Sequence, residues 1–281
     1  MQRSYARTDM ASEALGGRSG SIDGIKWNES EARGLKLESF CIESDEAAQL
    51  VGKPVGSYKT LYLEDYIARR SVSFEDTASA VSAVLKSFPQ INSGSRFLVA
   101  CLGNRAVTPD ALGPFVSDSV LVTRHLKSSY NAEFSRFSEV SVIRTGVLGT
   151  TGIESADALR AVCGLLKPDC VIAVDALATA EISRICRNIQ VCDTGISPGS
   201  GVGNDRARLD AGAVGAPVIA LGVPTVIDLN SVCELENGEA MFVTPRNIDE
   251  LVKSTAKLIA YGLNLALHDG LTVADIDLLI E

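Results

Sequence analysis

The sequence predicts an α/β protein in which helices cover both faces of a mainly parallel sheet. Helix-like and strand-like segments alternate along most of the 281 residues. The strand-like segments are continuous apolar runs, which is typical of strands buried on both faces. With 46% hydrophobic residues, the chain can bury one large core. The sequence has no repeat, low-complexity tract or linker, so we predict one domain.

The predicted elements begin after a polar N-terminal segment. Residues 1–35 carry little hydrophobic periodicity and are predicted to form a mobile or loosely attached leader. Beyond it, apolar runs predict strands at residues 37–42, 60–63, 97–102, 140–144, 171–174, 189–192 and 218–221. Apolar residues at helical spacing predict helices at residues 45–50, 73–88, 109–126, 156–166, 179–187, 248–267 and 273–280.

Charge and hydropathy exclude several classes of protein. The formal net charge of −9, without a long basic run, argues against broad nucleic-acid binding and favours a basic protein partner. The sequence has no apolar run long enough to span a bilayer, and its first residues lack the apolar core of a signal peptide. We therefore expect an intracellular protein without membrane contact.

Metal and nucleophile motifs are missing from the sequence. The seven cysteines are scattered without metal-type spacing, which predicts reduced, buried thiols. Neither of the two histidines lies in a metal-binding motif, so we predict no metal and no other cofactor. Serine and cysteine nucleophile patterns are also missing, which leaves carboxylate chemistry.

Two aspartates are the strongest candidates for catalysis. Asp110 and Asp175 each follow an apolar run, and residues just past the ends of neighbouring strands converge on one crevice. Thr108 and Pro109 favour a helix start, which puts Asp110 at the positive helix end and predicts a lowered pKa. Asp175 ends a buried run, so desolvation and a nearby ionised Asp110 predict a raised pKa.

Such a pair suits acid and base catalysis of hydrolysis. In one hypothesis, Asp110 deprotonates an attacking water while protonated Asp175 polarises the carbonyl or protonates the leaving amine. The reverse assignment stays open. The alternative is purely structural, since aspartates often cap helices or end strands.

Other segments are candidates for lining the same crevice. Asp193 is a third strand-end aspartate, with a structural turn as the equal alternative. Gly199 and Gly201 belong to a glycine-rich loop whose amides could face an oxyanion or a phosphate. Gly149 lies in a second glycine-rich segment that allows close backbone approach. A plain turn is the alternative for both loops.

Several sequence blocks occur in order along most of the chain, without large gaps between them. They are Leu102–Asn104, Thr108–Pro114, Gly146–Gly149, Thr151–Glu154, Ala173–Ala178, Asp193–Ile196, Pro198–Asn204 and Gly222–Val226. Together these blocks resemble the spore germination proteases, an aspartic endopeptidase family related in fold to the hydrogenase maturation proteases. The resemblance implies a three-layer fold with a mixed, mainly parallel sheet similar to that of the hydrogenase maturation proteases.

The resemblance also implies an activity. Members of this family degrade small acid-soluble spore proteins, the DNA-coating proteins of dormant spores, when germination begins. Their paired catalytic aspartates match Asp110 and Asp175, and they are made as zymogens that remove an N-terminal propeptide themselves. Residues 8–13, Thr-Asp-Met-Ala-Ser-Glu, resemble the substrate motif of the family, which predicts self-cleavage between Asp9 and Met10. A frayed helix start is the alternative for this segment.

The same resemblance implies domain bounds, assembly and location. Residues 1–9 would be the propeptide, and residues 10–281 a single α/β peptidase domain. A homotetramer in the cytoplasm of the forespore or spore core is implied, without direct contact to nucleic acid. If the aspartate pair shares one proton, acidification favours that state, so we expect processing to be faster at mildly acid pH.

An acidic residue before the cut implies a cationic or amide-rich subsite. Arg105, Arg144 and Arg206 are candidates, because each adjoins a block that forms the crevice. The family usually has Trp and Asn where this chain has Arg105 and Ala106. That departure leaves the catalytic aspartate intact and affects the subsite.

Three other functions stay open at this point. A peptidase similar to the hydrogenase maturation proteases would use a nickel ion in its substrate to choose the cut, but the few histidines and the substrate-like leader argue against it. A non-catalytic spore protein could hold basic DNA-coating proteins on its acidic surface, although the presence of both aspartates opposes this. A small-molecule hydrolase that uses the glycine-rich loop as an anion site is the third.

Overall fold

The computed structural model describes residues 8–15, 22–70, 72–129, 134, 136–203, 206–229 and 241–280. This part of the chain is built on a mixed sheet. Its strands are β1 (Ile25–Ala32), β2 (Leu35–Ile42), β3 (Gly56–Tyr62), β4 (Arg96–Leu102), β5 (Glu139–Gly146), β6 (Cys170–Thr179), β7 (Asn188–Cys192), β8 (Val218–Asp228) and β9 (Phe242–Val243). Eight of them lie in the order β1-β2-β3-β7-β8-β6-β4-β5, and β9 pairs with β8.

The sheet has a parallel half and an antiparallel half. Strands β5, β4, β6 and β8 run parallel to one another, whereas β7, β3, β2 and β1 form antiparallel pairs. In β6 every residue except Ala176 is buried, as expected for a strand covered on both faces. The predicted α/β class with a mixed sheet is confirmed.

Helices cover both faces of this sheet. They are α1 (Ala11–Ala14), α2 (Asp45–Val51), α3 (Glu64–Ile67), α4 (Phe74–Lys86), α5 (Leu112–Val116), α6 (Arg124–Ser129), α7 (Leu148–Thr151), α8 (Ser155–Leu166), α9 (Ala211–Val214), α10 (Ile248–Leu267) and α11 (Val273–Ile280). On one face α4, α5, α10 and α11 share a core with Val99 and Ile172. On the other, α8 and α9 pack on Leu98 and Val171 of the parallel half.

The antiparallel half carries its own core on the second face. Phe40 and Tyr58 stack with ring centroids 5.0 Å apart and pack with residues of α1 and α2. This cluster includes Ala220 of β8, two residues after Val218 in the neighbouring core, and residues two apart along a strand share a face. The short helix α1 is therefore part of the folded layer.

The N-terminal region differs from the predicted mobile leader. Residues 25–32 form the edge strand β1, which joins β2 through Arg33 and Gly34, both with positive φ. Most of β1 is exposed, so its side chains are polar and lack the apolar periodicity that predicts strands. Met10 and Ala11 are fully buried. Residues 1–7 and 16–21 lie outside the described residues.

The predicted helix over residues 109–126 is also wrong. A 3-10 turn at Thr108–Asp110 is followed by α5, and α6 begins only at Arg124. Between them, Asn264 of α10 accepts a hydrogen bond from the Leu121 amide and donates one to the Ser119 carbonyl. These bonds satisfy backbone groups that a continuous helix would have paired internally.

The predicted helix over residues 179–187 is wrong as well. Strand β6 continues to Thr179, and only a 3-10 turn at Ile182–Arg184 follows. The backbone at residues 178 and 180 bonds to side chains of the N-terminal segment instead of entering a helix.

The described part of the chain has no helix that is both long and apolar enough to cross a membrane. Its six cysteines are free, and five of them are buried. The seventh, Cys233, lies outside the described residues.

Candidate active site

A cavity of about 330 Å³ opens at the carboxyl ends of β4 and β6. Its lining includes Asp9, Asp110 and Asp175, together with Arg206. We call it the acidic cavity. The two strand-end aspartates singled out from the sequence therefore meet at one site, as the parallel arrangement of β4 and β6 predicts.

A second cavity, of about 250 Å³, lies towards the antiparallel half of the sheet. Lys53, Gln190 and Arg208 belong to its lining, and we call it the lysine cavity. Asp9 and Leu177 line both cavities. The chain at Asp9 therefore lies between them.

Asp110 is held by the backbone that follows β4. The Asn104 amide donates a hydrogen bond to its Oδ2 at 2.8 Å. Gly103 has a φ of +104° and permits close approach, because a Cβ there would lie 2.0 Å from the Asp110 carbonyl oxygen.

Burial raises the pKa of Asp110, while the Asn104 amide and the charge of Arg206 oppose this rise. The pKa lowering expected from a helix terminus is thus wrong. The turn that contains Asp110 is only three residues long, so burial outweighs its small dipole.

Asp175 occupies a more enclosed position on β6, where it is 4% exposed. Its Oδ1 accepts a hydrogen bond from the Ala176 amide at 2.9 Å. Burial, followed by the negative charges of Asp110 and Asp9, raises the pKa of Asp175 well above its ordinary value. The structure therefore supports the predicted direction. A proton on the pair resides more favourably on Asp175, because this side chain is more deeply buried and the negative charges of Asp110 and Asp9 act on it.

Asp9 reaches the acidic cavity by pairing with the end of β6. Its amide donates to the Ala178 carbonyl at 3.0 Å, and the Ala178 amide donates to its Oδ2 at 2.9 Å. The Ser200 hydroxyl donates to its Oδ1 at 2.6 Å. The register between β6 and β8 shifts between Leu177 and Ala178, and such a bulge frees backbone groups from the ladder.

Gly201 provides the space that the Asp9 carboxylate occupies. A Cβ at this position would lie 2.2 Å from Oδ2 of Asp9 and 2.6 Å from Cβ of Ala178. Only glycine leaves room for this contact, so the glycine-rich loop shapes the subsite. An amide and a hydroxyl bind the acidic side chain.

The carbonyl group of Asp9 faces the lysine cavity. Lys53 Nζ donates to its oxygen at 3.0 Å, and Gln190 Nε2 donates to the same oxygen at 3.4 Å. The Gln190 Oε1 accepts from the Ala11 amide at 2.6 Å, so this one side chain contacts the backbone on both sides of Met10. Sequence reasoning missed both donors. The available signal for Gln190 was that it is a polar residue within the apolar run at residues 189–192.

Glu13 anchors the far end of the N-terminal segment. It accepts hydrogen bonds from the Thr179 hydroxyl, and from the Ala180 amide at 2.8 Å. Arg184 Nε lies 3.3 Å from its Oε1, and the Glu13 side chain is 4% exposed. Residues 9–13 are thus fixed at both ends, by Asp9 and by Glu13, against residues 178–180 at the end of β6.

The other predicted crevice residues divide into two groups. Gly199 lines the acidic cavity and Gly201 contacts Asp9. Among the described residues, the lining of either cavity does not include Asp193 or Gly149. Asp193 accepts a hydrogen bond from the Ser57 amide at 2.8 Å, which joins the turn after β7 to β3. This position matches the structural alternative.

Two of the predicted subsite arginines lie elsewhere. Arg105 and Arg144 both pair with the exposed carboxylate of Asp118, at 2.9 Å and 2.5 Å. Within the described ranges, neither belongs to the cavity lining, whereas Arg206 does. Asp118, two residues after the end of α5, holds both guanidinium groups by these ion pairs. Across the described residues, no three His, Cys, Asp or Glu side chains converge in a way that could hold a metal ion.

Comparison with protein-family models places the chain among the peptidases. The matching model is described as germination protease and covers residues 6–237. Because this match spans well over half of the sequence, the chain belongs to the germination protease family.

Individual relatives agree with this assignment. The chain is 36% identical to a germination protease of Caldanaerobacter subterraneus subsp. tengcongensis, with 98% of each chain covered. It is 34% identical to one from Clostridium perfringens strain SM101, over 91% of this chain and 92% of that protein. A germination protease of Oceanobacillus iheyensis is 39% identical over 83% of this chain and 61% of its own length.

Among solved structures, the chain is similar to the [NiFe] hydrogenase maturation protease HycI from Thermococcus kodakarensis KOD1. The identity is 20%, the TM-score is 0.37, and the match covers 64% of this chain and 98% of that one.

Proposed function

We propose that this chain is an aspartic-type endopeptidase made as a zymogen, which cuts its own backbone between Asp9 and Met10. The observation that carries the proposal is the position of Asp9. Asp9 lines the same cavity as Asp110 and Asp175, and its side chain accepts hydrogen bonds from the Ala178 amide and the Ser200 hydroxyl. Membership of the germination protease family supports a peptidase role for this site.

The aspartate pair supplies both proton transfers of amide hydrolysis. Asp110 takes a proton from a water molecule, whose oxygen forms a bond to the carbonyl carbon of Asp9. Asp175 then gives its proton to the amide nitrogen of Met10 as the carbon–nitrogen bond breaks. The products are a carboxylic acid at Asp9 and an amine at Met10. The raised pKa of Asp175 suits the acid, and the donors beside Asp110 suit the base.

The substrates in trans are proposed to be small acid-soluble spore proteins, which the enzyme degrades during germination. The family and the substrate-like sequence of residues 8–13 support this choice. A homotetramer in the forespore or spore core belongs to the same proposal. A peptide with an acidic residue before the cut would use the amide of Ala178 and the hydroxyl of Ser200 as Asp9 does.

The test is to incubate the purified full-length protein at mildly acid pH and to read its N-terminus by mass spectrometry. The wild type is expected to acquire a Met10 start, whereas Asp110→Asn and Asp175→Asn keep Met1. Asp193→Asn is the matched control, since Asn can still accept the hydrogen bond from the Ser57 amide. An intact Met1 start in the wild type, with no cutting of an added spore-protein peptide, would favour a non-catalytic binding protein.

A further inference from the structure

The ammonium group of Lys53 bonds to backbone carbonyl oxygens and not to a carboxylate. Lys53 lies in the turn after α2, and its Nζ bonds to the carbonyl oxygens of Asp9 at 3.0 Å and Thr8 at 3.5 Å. Within the described ranges, Lys53 forms no ion pair. A partly buried ammonium group held this way strongly polarises the carbonyl that it contacts.

Gln190 directs a second donor at the same oxygen. Its side chain is buried inside the apolar strand β7, with 7% exposure. The Ala11 amide occupies Oε1, which fixes the side-chain amide so that Nε2 points towards the Asp9 carbonyl. The carbonyl oxygen of the bond before Met10 therefore meets one charged donor and one neutral donor.

The two donors and the two catalytic aspartates line different cavities, and Asp9 lines both of them. Asp110 and Asp175 line the acidic cavity, and Lys53 and Gln190 line the lysine cavity. Water that adds to the carbonyl carbon from the acidic side pushes negative charge onto an oxygen that faces the lysine side. Donors already placed at that oxygen stabilise the transition state without reorganisation.

We infer that Lys53 is a further catalytic residue, and that with Gln190 it forms the oxyanion site of this peptidase. This inference rests on the proposed function. In the step it assists, the water oxygen bonds to the carbonyl carbon, the carbonyl π electrons move to the oxygen, and the lysine keeps its proton. When the carbon–nitrogen bond breaks, the electrons return and the carbonyl is restored. Asp175 then has only the leaving amine to protonate.

The inference predicts a loss of activity at alkaline pH. Burial lowers the pKa of Lys53, as does Arg208, against the charges of Asp9, Cys192 and Glu13. Lys53 therefore loses its proton at a lower pH than an exposed lysine, and the oxyanion site then loses its charge. An arginine at this position would stay protonated throughout.

The experiment measures the first-order rate of self-cleavage in full-length variants by mass spectrometry. Lys53→Met is expected to slow it about 100-fold to 1000-fold, the usual effect of removing an oxyanion donor. Lys53→Arg is expected to retain more activity than Lys53→Met. It should also lack the additional alkaline decline that deprotonation of Lys53 causes beyond the loss of the aspartate-pair proton. Gln190→Glu, which keeps the acceptor for Ala11 but loses the donor, is also expected to be slow. Lys26→Met, at an exposed lysine of β1, is the control.

Hydrogen–deuterium exchange of residues 8–15 separates chemistry from docking. Slow cleavage of Lys53→Met with unchanged protection of this segment supports the inference. Cleavage at the wild-type rate, or loss of protection in parallel with the rate, overturns it. Either result leaves the proposed function standing as long as the wild type cuts at Met10 and Asp110→Asn does not. Failure of the wild type to cut would instead remove the proposed function.

Discussion

The two cavities beside Asp9 differ in charge and in the way the chain builds them. The acidic cavity takes Asp175 from the parallel strand β6 and Asp110 from the turn that follows β4, and each comes after a buried apolar run. The lysine cavity takes Lys53 from a turn and Gln190 from the middle of an antiparallel strand. Residues at parallel strand ends are brought together by topology, whereas the lysine cavity depends on the antiparallel packing of β3, β7 and α2.

The separation also keeps the Lys53 ammonium group in a different cavity from the two aspartates. The charges that act on Asp175 are those of Asp110, Asp9 and Arg206, and the first two raise its pKa. Arg206 lowers the pKa of both aspartates, and a second cation beside the pair would lower them further and oppose the protonated state of Asp175. Because Lys53 lines the other cavity, a protonated carboxyl and an ammonium group can act on the same peptide bond in the proposed mechanism.

Among variants outside the aspartate pair and the two oxyanion donors, the largest effect is expected from blocking the contact between Asp9 and the acidic cavity. Gly201→Ala places a methyl group where a Cβ would lie 2.2 Å from Oδ2 of Asp9, so the segment cannot dock. We expect self-cleavage to slow by about 100-fold or more, since small misplacements of a reacting group have such effects. Gly149→Ala is the matched control because no atom lies within 4 Å of its added Cβ. Equal rates for the two variants would contradict this view of the subsite.

A smaller effect is expected at the anchor beyond the cut. Glu13→Gln removes the negative charge that binds Arg184 and the Ala180 amide. A hydrogen bond of this kind contributes about 1–2 kcal/mol, so we expect processing to slow about tenfold. Glu181 is the other carboxylate partner of Arg184, and its side chain is 52% exposed. Glu181→Gln should therefore change the rate little. A larger effect from Glu181 than from Glu13 would show that the anchor does not position the scissile bond.

The pH dependence of self-cleavage tests the protonation of the aspartate pair. Burial and the negative charges of Asp110 and Asp9 raise the pKa of Asp175, so the pair holds one proton towards mildly acid pH. The rate of self-cleavage should therefore rise several-fold as the pH falls from neutral into this range. Measured first-order rates across pH, with folding checked by circular dichroism at each point, test this expectation. A rate that climbs steadily to alkaline pH would refute it.

The smallest effect concerns stability. The folded state keeps the Asp175 proton to a higher pH than the unfolded state, where the ordinary pKa is 3.8. The native protein then binds more protons, so its stability falls as the pH rises from that value through the raised folded pKa. Asp175→Asn should raise the melting temperature by a few degrees at neutral pH and flatten its pH dependence.

Asp193→Asn is the control for this measurement, because its carboxylate lies outside both cavities and its acceptor is retained. A lower melting temperature in Asp175→Asn than in this control would show that the buried carboxyl does not destabilise the fold.

Local pattern was sufficient for much of the fold. The predicted helices at residues 248–267 and 273–280 have the observed bounds, and the apolar runs of β4 and β6 were visible as strands. Residues 109–126 and 179–187 were wrongly predicted as helices because partners far away in sequence bind their backbones. Asn264 binds the backbone at Leu121 and so interrupts the helix predicted over residues 109–126. Asp9 and Glu13 of the N-terminal segment bind the backbone at residues 178 and 180, where the helix over residues 179–187 was predicted to begin.

The α/β class, the choice of Asp110 and Asp175 as the aspartates that follow buried apolar runs, and the substrate-like character of residues 8–13 could all be predicted from the sequence. These features depend on apolar periodicity and short motifs, which are local properties of the chain. Strand β6 continues past Asp175 to Thr179, so this aspartate lies within the strand and not at its end.

Three features required the tertiary structure: Asp9 lines two cavities, Asp193 bonds to the Ser57 amide outside the lining of both, and Lys53 and Gln190 meet one carbonyl oxygen. Those contacts join residues distant in sequence through antiparallel pairing, for which spacing along the chain provides no signal.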